Sequence, residues 1–331
     1  MVVCGYTASA NYPVRGAALQ STRRGAEAGF ITVIDSASGV MQYSSYFGGS
    51  YNDLFVRVLQ TTDGGYALLG KTTSMDMPVT TGVFQPSRGE KDSSYFVWNY
   101  SIVKLSPMLE LLWCSYLGGS WGDEATDLCE YNSRLFVTGY ALSKDFPLRH
   151  PLMSYQDKED MTLTVVDAEG RNILFSSYWG GDNFDIPDAI AVRGTSVYLS
   201  GATASSNYPL TSDALKSVRA GNNDAVFTIF SFEELGLPTT YSEPLAPTAI
   251  ALIGNAPNPF VSSTEIVYET RSASAVVISF FDAGGRLIEQ RALPRLEPGR
   301  HSYTFHASSL PPGIYYCRIA AGAGSVTRKM V

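Results

Sequence analysis

Histidine is nearly missing from this chain, with three among 331 residues, and cysteine is scarce, with four: Cys4, Cys114, Cys129 and Cys317. None of the cysteines stands in a Cys-x-x-Cys pair, so the spacing suits neither a zinc site nor a disulfide-built scaffold. Cys114 and Cys129 could bridge neighbouring strands, but the simpler reading of all four is small buried hydrophobes. Charge is thin as well: 17 % of residues are Asp, Glu, Lys or Arg, where soluble domains usually carry about 25 %. No basic block exists, which removes the electrostatic footprint of a nucleic-acid partner. Apolar runs such as Ala275–Phe281 fall far short of the ~20 residues of a membrane helix, so no transmembrane segment is expected. No stretch repeats apolar residues at i, i+3, i+4 and i+7, so helix is expected to be scarce. Met1 is not followed by a basic stretch, an apolar core and a cleavage site, so the signal peptide of an exported protein is absent from this chain.

What is present is apolar and aromatic. Hydrophobic residues make up 45 %, with 20 Tyr and 16 Phe, against a net charge of −7; that is a folded chain, with enough length for two domains or one large β domain. A search for internal periods organises it. One anchor recurs three times, as Ser45-Tyr46-Phe47-Gly48-Gly49, Ser115-Tyr116-Leu117-Gly118-Gly119 and Ser177-Tyr178-Trp179-Gly180-Gly181. A second recurs four times, a Gly followed eight residues later by a Pro: Gly5/Pro13, Gly70/Pro78, Gly139/Pro147 and Gly201/Pro209, with Ser9, Ser74, Ser143 and Ser205 between. From the first to the second anchor the chain runs 22, 21 and 21 residues; from the Pro to the next Gly pair it runs 35, 40 and 33. Half of each unit is fixed in length and half tolerates insertion.

Short runs rich in Val, Ile, Tyr, Phe and Thr fill the units: Leu54–Leu59, Tyr66–Leu69, Phe96–Leu105 and Leu111–Tyr116, then Ala125–Cys129, Leu135–Thr138, Met161–Val166 and Ile173–Tyr178. Four antiparallel strands per unit describe the blades of a β-propeller. The period of 62 to 70 residues is longer than the ~40–50 of WD40 or kelch repeats. The Gly pairs are expected to supply positive φ where the chain leaves a blade, and the Pro of the second anchor to end a strand. These units resemble the SBBP β-propeller repeats, which read Ser-Tyr-x-Gly-Gly followed by Gly-x-Thr-x-Ser-x-x-x-Pro; the resemblance covers about residues 1–232, and Tyr140-Ala141 departs from it at one anchor. About 14 strands give about 3.5 blades, fewer than a closed ring usually has, so either one blade is split or the chain is a fragment of a longer protein; the fragment is the preferred reading.

An acid stands five residues after the first Gly of each pair, at Asp53, Asp123 and Asp185. Such carboxylates either hold Ca²⁺ with backbone carbonyls or accept turn N–H groups; the turn cap is the preferred reading, and no other cofactor is expected.

Around residues 236–248 the repeat gives way to a Pro-rich linker, and the charge changes sign: residues 249–331 carry 8 Lys+Arg against 5 Asp+Glu, and the rest 16 against 26. Strands at Ile266–Tyr268, Val276–Phe281, Arg286–Arg291, His301–His306 and Gly313–Ala320, with a turn at Asp282-Ala283-Gly284-Gly285, describe a small immunoglobulin-like sandwich. The motifs here look like the C-terminal sorting domain of type IX secretion cargo, and the domain is similar to the Ig-like domain of the flagellar hook-capping protein. The residues that carry the likeness are Asn258, Pro259 and Phe260, Gly285 and Arg286, Gly313 and Tyr315, and Lys329 near the terminus. The resemblance implies export to the extracellular space or outer cell surface, with the type IX secretion machinery as a partner. The expected organisation is thus all-β: propeller repeats over 1–235, a linker over 236–248, and the sorting domain over 249–331.

Catalytic patterns are thin. His301 and His306 lie five apart on a strand and point to opposite faces; His150 is alone, and no Gly-x-Ser-x-Gly elbow appears. The Gly pairs are not followed by a helix that could hold phosphate. Trp98, Tyr100, Trp113, Trp121 and Trp179 could line a sugar-binding face but read first as blade packing. The expected function is a binding or adhesion module for a glycan or surface protein, not an enzyme. The alternatives are an extracellular polysaccharide hydrolase with a buried acid pair at the propeller mouth, or a structural spacer of a larger surface protein.

Overall fold

The structure is a computed structural model that describes residues 1–36, 38–89, 97–239, 250–270, 273–321 and 324–331. Phe96 of the third expected strand and residues 240–248 of the expected linker lie outside the described residues. No helix occurs among the described residues. The chain divides into two compact units, one of residues 1–105 and 109–241, the other of 242–331 with Ser106–Met108.

The first unit holds four antiparallel meanders. Sheet 1 is β1 (Val2–Thr7), β2 (Ala28–Ile34) and β3 (Met41–Phe47). Sheet 2 is β4 (Asp53–Gln60), β5 (Tyr66–Thr72), β6 (Asn99–Leu105) and β7 (Leu111–Leu117). Sheet 3 is β8 (Asp123–Tyr131), β9 (Arg134–Ala141), β10 (Asp160–Val166) and β11 (Ile173–Trp179). Sheet 4 is β12 (Asp185–Arg193), β13 (Ser196–Thr203) and β14 (Asp224–Ser231). Each strand closes on a residue suited to its turn. Asn132 and Ser133, both at positive φ, make the two-residue hairpin of β8 and β9, and Gly64 at φ 83° turns the chain between β4 and β5.

Alternation along each strand sends side chains to opposite neighbours. In β5, Leu68 joins Ile31, Phe47 and Val103 in a core between sheets 1 and 2, whereas Ala67 and Leu69 join Leu128, Val137 and Tyr178 in a core between sheets 2 and 3. A third core, with Leu163, Phe175, Leu199 and Phe230, lies between sheets 3 and 4. All seven residues of β6 and of β10 are buried in consequence. The first strands β4, β8 and β12 run beside one another, each with a β-bulge at the equivalent place, after Phe55, Ala125 and Pro187. There the buried Asp127 joins three sheets, pairing with Arg57 at 2.7 Å and accepting the Ile190 N–H at 3.0 Å. Four sheets stacked face to face, with β4, β8 and β12 side by side, form a partial β-propeller.

Three expectations change. None of the six glycines in the repeated pairs has positive φ; their requirement is steric and is described below. The prolines do not end strands: β5 and β13 close at Thr72 and Thr203, and Pro78 and Pro209 come six residues later. The linker does not begin at 236, because Leu235 and Leu237 are buried in the core between sheets 3 and 4. All four cysteines are free thiols; Cys114 sits in the core between sheets 1 and 2 while Cys129 packs beside that between sheets 3 and 4.

The second unit is a sandwich of two antiparallel sheets. One is β15 (Ile250–Ala256), β16 (Ser263–Thr270) and β19 (Gly299–His306), in that order. The other runs β18 (Leu287–Leu296), β17 (Ser274–Asp282), β20 (Tyr315–Ala321) and β21 (Gly324–Met330). Phe280 and Phe305 stack at 3.9 Å between them, within a core that includes Ile266, Ile278 and Ile319.

The outer-strand tyrosines tie each sheet to itself across the loop that follows β1, β5 or β9. Tyr116 Oη donates to the Ser74 carbonyl at 2.9 Å and accepts the Met77 N–H at 3.0 Å; Tyr46 does the same with Ser9 and Tyr12, and Tyr178 with Ser143 and Phe146. Replacing Tyr116 by Phe leaves a buried donor and acceptor unmet, so denaturant unfolding should show a loss of about 2 kcal/mol.

Candidate functional site

The repeated motifs converge on the passage from one sheet to the next. Asp53 opens β4, and its Oδ2 accepts the Gly49 N–H at 2.7 Å and the Ser74 hydroxyl at 2.9 Å, while Thr72 Oγ1 donates to Oδ1. Asp123 opens β8 and accepts from Gly119 N and Ser143 Oγ, each at 2.7 Å, and from Ser143 N at 3.2 Å. Asp185 opens β12 and accepts from Gly181 N and Ser205 Oγ, each at 2.7 Å. One carboxylate therefore joins the exit of an outer strand, the start of the next sheet and the loop after its second strand. This is the geometry of a turn cap. Both oxygens of Asp53 and of Asp123 are met by N–H and O–H donors, whose positive ends oppose a cation, whereas Asp185 Oδ1 has no hydrogen-bond partner among the described residues; Ca²⁺ takes six to eight oxygen ligands. Among the described residues no group of three His, Cys, Asp or Glu side chains is placed to hold a metal.

Glycine is required here by close approach. A Cβ on Gly48 would stand 2.3 Å from Asp53 Oδ2, and one on Gly118 would stand 2.7 Å from Asn99 Nδ2. A Cβ on Gly119 would stand 2.5 Å from Ser143 Cβ. A second ring of acceptors escaped the sequence reading. Asp76 accepts the Ser50 N–H at 2.7 Å, Asp145 the Ser120 N–H at 2.8 Å, and Asn207 the Asp182 N–H at 2.7 Å. Their signal was present as an Asp or Asn two residues after each anchor Ser.

Sheet 3 departs from sheet 2 at one atom. Asn99 begins β6 and donates Nδ2 to the Trp98 and Gly119 carbonyls, at 2.9 and 3.2 Å. Asp160 holds the same place in β10; its Oδ2 accepts the Gln156 N–H, but its Oδ1 has no hydrogen-bond partner. A Cβ on Gly180 would stand 2.5 Å from Asp160 Oδ1 and 2.6 Å from Asp185 Oδ2, so two carboxylates flank one glycine. Burial, with the Asp185 charge adding to it, pushes Asp160 up to about 7, and burial also pushes Asp123 to about 7. Asp53 and Asp185 are raised by burial too, against the hydrogen bonds that lower them. The four side chains lie in residues at most 2 % exposed.

The aromatic residues separate by exposure. Tyr100 and Trp113 are buried between sheets 2 and 3, and Trp179 packs edge-on against Phe230 at 4.8 Å. Trp121 is 65 % exposed and Phe184 44 %. Both lie in the five-residue passages that begin with a Gly pair, as Tyr51 does. Lys158 sits 5.6 Å from the Phe184 ring, and Lys71 5.2 Å from that of Trp98. His301 turns inward to Thr270 and the Glu297 carbonyl, while His306 is exposed.

In the second unit the motif residues close the sandwich. Asn258 Oδ1 accepts the Val331 N–H at 2.8 Å, and the Phe260 N–H donates to the Val331 carbonyl at 2.9 Å. The Phe260 ring meets Phe305 and Tyr315, both at 6.2 Å. Both peptide bonds into Pro257 and Pro259 are cis. Gly285, at φ 80°, turns the β17–β18 hairpin, and Asp282 Oδ1 caps it by accepting from Gly284 N and Arg286 N. Tyr315 donates to the Pro311 carbonyl beside Gly313. Lys329 is exposed, opposite Tyr316 in the ladder of β20 and β21.

The folded state favours protonated Asp160, because its carboxyl lies above the ordinary Asp value of about 3.9. Its contribution to stability is present at low pH and is lost as pH rises from about 4 through 7. Asp160→Asn places a donor where Asn99 has one, so its melting temperature should exceed that of the parent at pH 8, with the gap shrinking toward pH 4; scanning calorimetry across that range checks it.

Comparison with known proteins follows this division. No curated protein matches the chain. Among solved structures, a glycoside hydrolase family 43 arabinoxylan arabinofuranohydrolase from Bacillus subtilis, in complex with cellotetraose, is 13 % identical with a TM-score of 0.28, covering 92 % of this chain and 75 % of that one. Dimeric latent PorU from Porphyromonas gingivalis is 12 % identical with a TM-score of 0.23, covering 99 % of this chain and 33 % of that one. Neither score carries weight for fold or activity. Residues 256–331 match the family described as the secretion system C-terminal sorting domain. A type IX sorting domain is therefore present over these residues, and it directs the chain to the secretion machinery for export to the cell surface or extracellular space.

Proposed function

We propose that the first unit is an SBBP-type propeller that serves as a binding or adhesion module, displayed outside the cell by the immunoglobulin-like sorting domain. The observation that carries it is the exposure of Trp121 and Phe184 in equivalent passages between sheets. Large aromatic faces left in water at adjacent places of successive passages, Trp121 three and Phe184 four residues after the first Gly of its pair, suit a flat apolar ligand surface, such as a sugar ring, better than packing. The acids with raised pKa support a non-catalytic reading, since a carboxylate with no exposed surface meets no substrate. No cofactor is required for such a role. Glycans are the first class of ligand, and surface proteins the second.

Binding to a glycan array should fall about thirtyfold on Trp121→Ala or Phe184→Ala, the loss of about 2 kcal/mol expected for a central aromatic anchor; an unchanged melting temperature would confirm that only the surface was altered. No glycan binding by the parent protein would end the glycan reading. In a bacterium with type IX secretion, the chain lacking residues 256–331 should disappear from the surface fraction while the full chain reaches it, as fractionation and protease shaving would show.

A further inference from the structure

Sheets 2 and 3 have four strands each, whereas among the described residues sheet 4 stops at β14, which pairs with β13 alone. The equivalent strands β2, β6 and β10 each carry an outer strand on their free side: β3, β7 and β11, the three strands with the Ser-Tyr-x-Gly-Gly motif. Each outer tyrosine is received by two backbone groups of its own sheet, the carbonyl of the anchor Ser and the N–H three residues on. In sheet 4 those groups are the Ser205 carbonyl and the Tyr208 N–H, and among the described residues neither has a hydrogen-bond partner.

The place for the passage that follows an outer strand is preserved in part. Gly25 and Gly89 lie so close to the passages they face that a Cβ would collide with the carbonyl oxygens of Tyr51 or of Gly118 and Gly119, at 1.5 and 2.5 Å. Gly221 holds the place of Gly25 in sheet 4, three residues before β14 as Gly25 is before β2, and a Cβ there would meet only Asn223 O at 3.8 Å; Ala220 holds the place of Gly89, donating to Asp224 as Gly89 donates to Asn99. Arg219 reaches the Asn222 carbonyl as Arg23 reaches that of Ala26. Asp224 begins β14 as Asp160 begins β10 and accepts the Ala220 N–H as Asp160 accepts that of Gln156. Lys216 replaces the glutamines that clamp Gly48 and Gly118, keeping a donor but losing the acceptor. Leu215, which corresponds to the packed Leu19 and Phe84, is fully exposed.

We propose that the edge of β14 receives an extended segment of another polypeptide bearing Ser-Tyr-x-Gly-Gly, which completes sheet 4 as its fourth strand. The tyrosine hydroxyl bridges Ser205 and Tyr208, and the chain just after the Gly pair passes beside Gly221. Strand addition of this kind draws affinity from main-chain hydrogen bonds and specificity from the side-chain receptor. A second copy of this chain is a poor donor, because its Tyr46, Tyr116 and Tyr178 are already buried, each at 1 % exposure.

The probe is a labelled synthetic peptide of residues 172–182, the β11 segment, titrated onto the full chain and read by fluorescence anisotropy. Hydrogen exchange maps the site. Saturable binding, weakened about tenfold by Tyr178→Phe in the peptide through loss of roughly 1.4 kcal/mol of hydrogen bonding, is expected, with new protection at the Tyr208 amide and along β14. Because the substitution sits in the peptide, the fold of the protein is untouched. Absence of saturable binding, equal binding of the Phe peptide, or protection elsewhere each overturns the proposal; the first would mean that another part of this chain already covers the edge.

Discussion

Five residues separate the last strand of one sheet from the first strand of the next, and a buried carboxylate holds them in place. Burying an ionisable group is costly unless donors surround it. The chain meets that demand with the Gly N–H of the sheet being left and the Ser hydroxyl of the sheet being entered. Much else in the repeat follows from this contact. The Gly pair must lack side chains because the carboxylate and the anchor Ser occupy that space, and the anchor Ser must stand just beyond the hairpin of the sheet's first two strands. The separation between anchors is accordingly held at 21 or 22 residues. From the anchor Pro to the next pair the chain meets no such contact until the outer tyrosine arrives, and there its length runs from 33 to 40.

The tyrosine is the second constraint and depends on the first. Its hydroxyl reaches the carbonyl of the same Ser whose side chain serves the carboxylate. Strand order in a sheet is thereby set at both ends: the inner strand by Asp on Ser Oγ, the outer strand by Tyr on Ser O. A residue that binds through side chain and main chain at once couples the two strands that never pair directly.

Strand periodicity and the count of sheets were legible because each strand alternates between two packed faces, and β10 spans Asp160–Val166 where the pattern marks Met161–Val166. The role of the glycines was not, since positive φ and close approach leave the same letters in a sequence; only the position of Asp53 Oδ2 relative to Gly48 separates them. Asp160 was equally opaque, because its meaning lies in occupying the place of Asn99 across a gap of different length. The burial of Leu237 was hidden by the Pro and Thr that surround it, which read as linker while the preceding turn folds Leu235 and Leu237 back onto Phe136 and Phe232. Asp53, Asp123 and Asp185 stand out in the sequence as a repeated set, but their hydroxyl and amide donors were not assignable without coordinates.

In the second unit the terminal residue belongs to the fold. Val331 is held on both sides, by Asn258 and by the Phe260 N–H, so the motif that opens the sandwich also fastens its last strand. The motif residues then divide by environment. Phe260 and Tyr315 face one another across the core, and Gly285 is demanded by its turn. Arg286, with a side chain 84 % exposed, stands on the rim of the hairpin, and Lys329 and Gly313 are exposed as well. A secretion apparatus that reads this domain meets the second group directly and the first only through the shape it maintains. The sequence signature thus combines residues that maintain the fold with residues that lie on its surface.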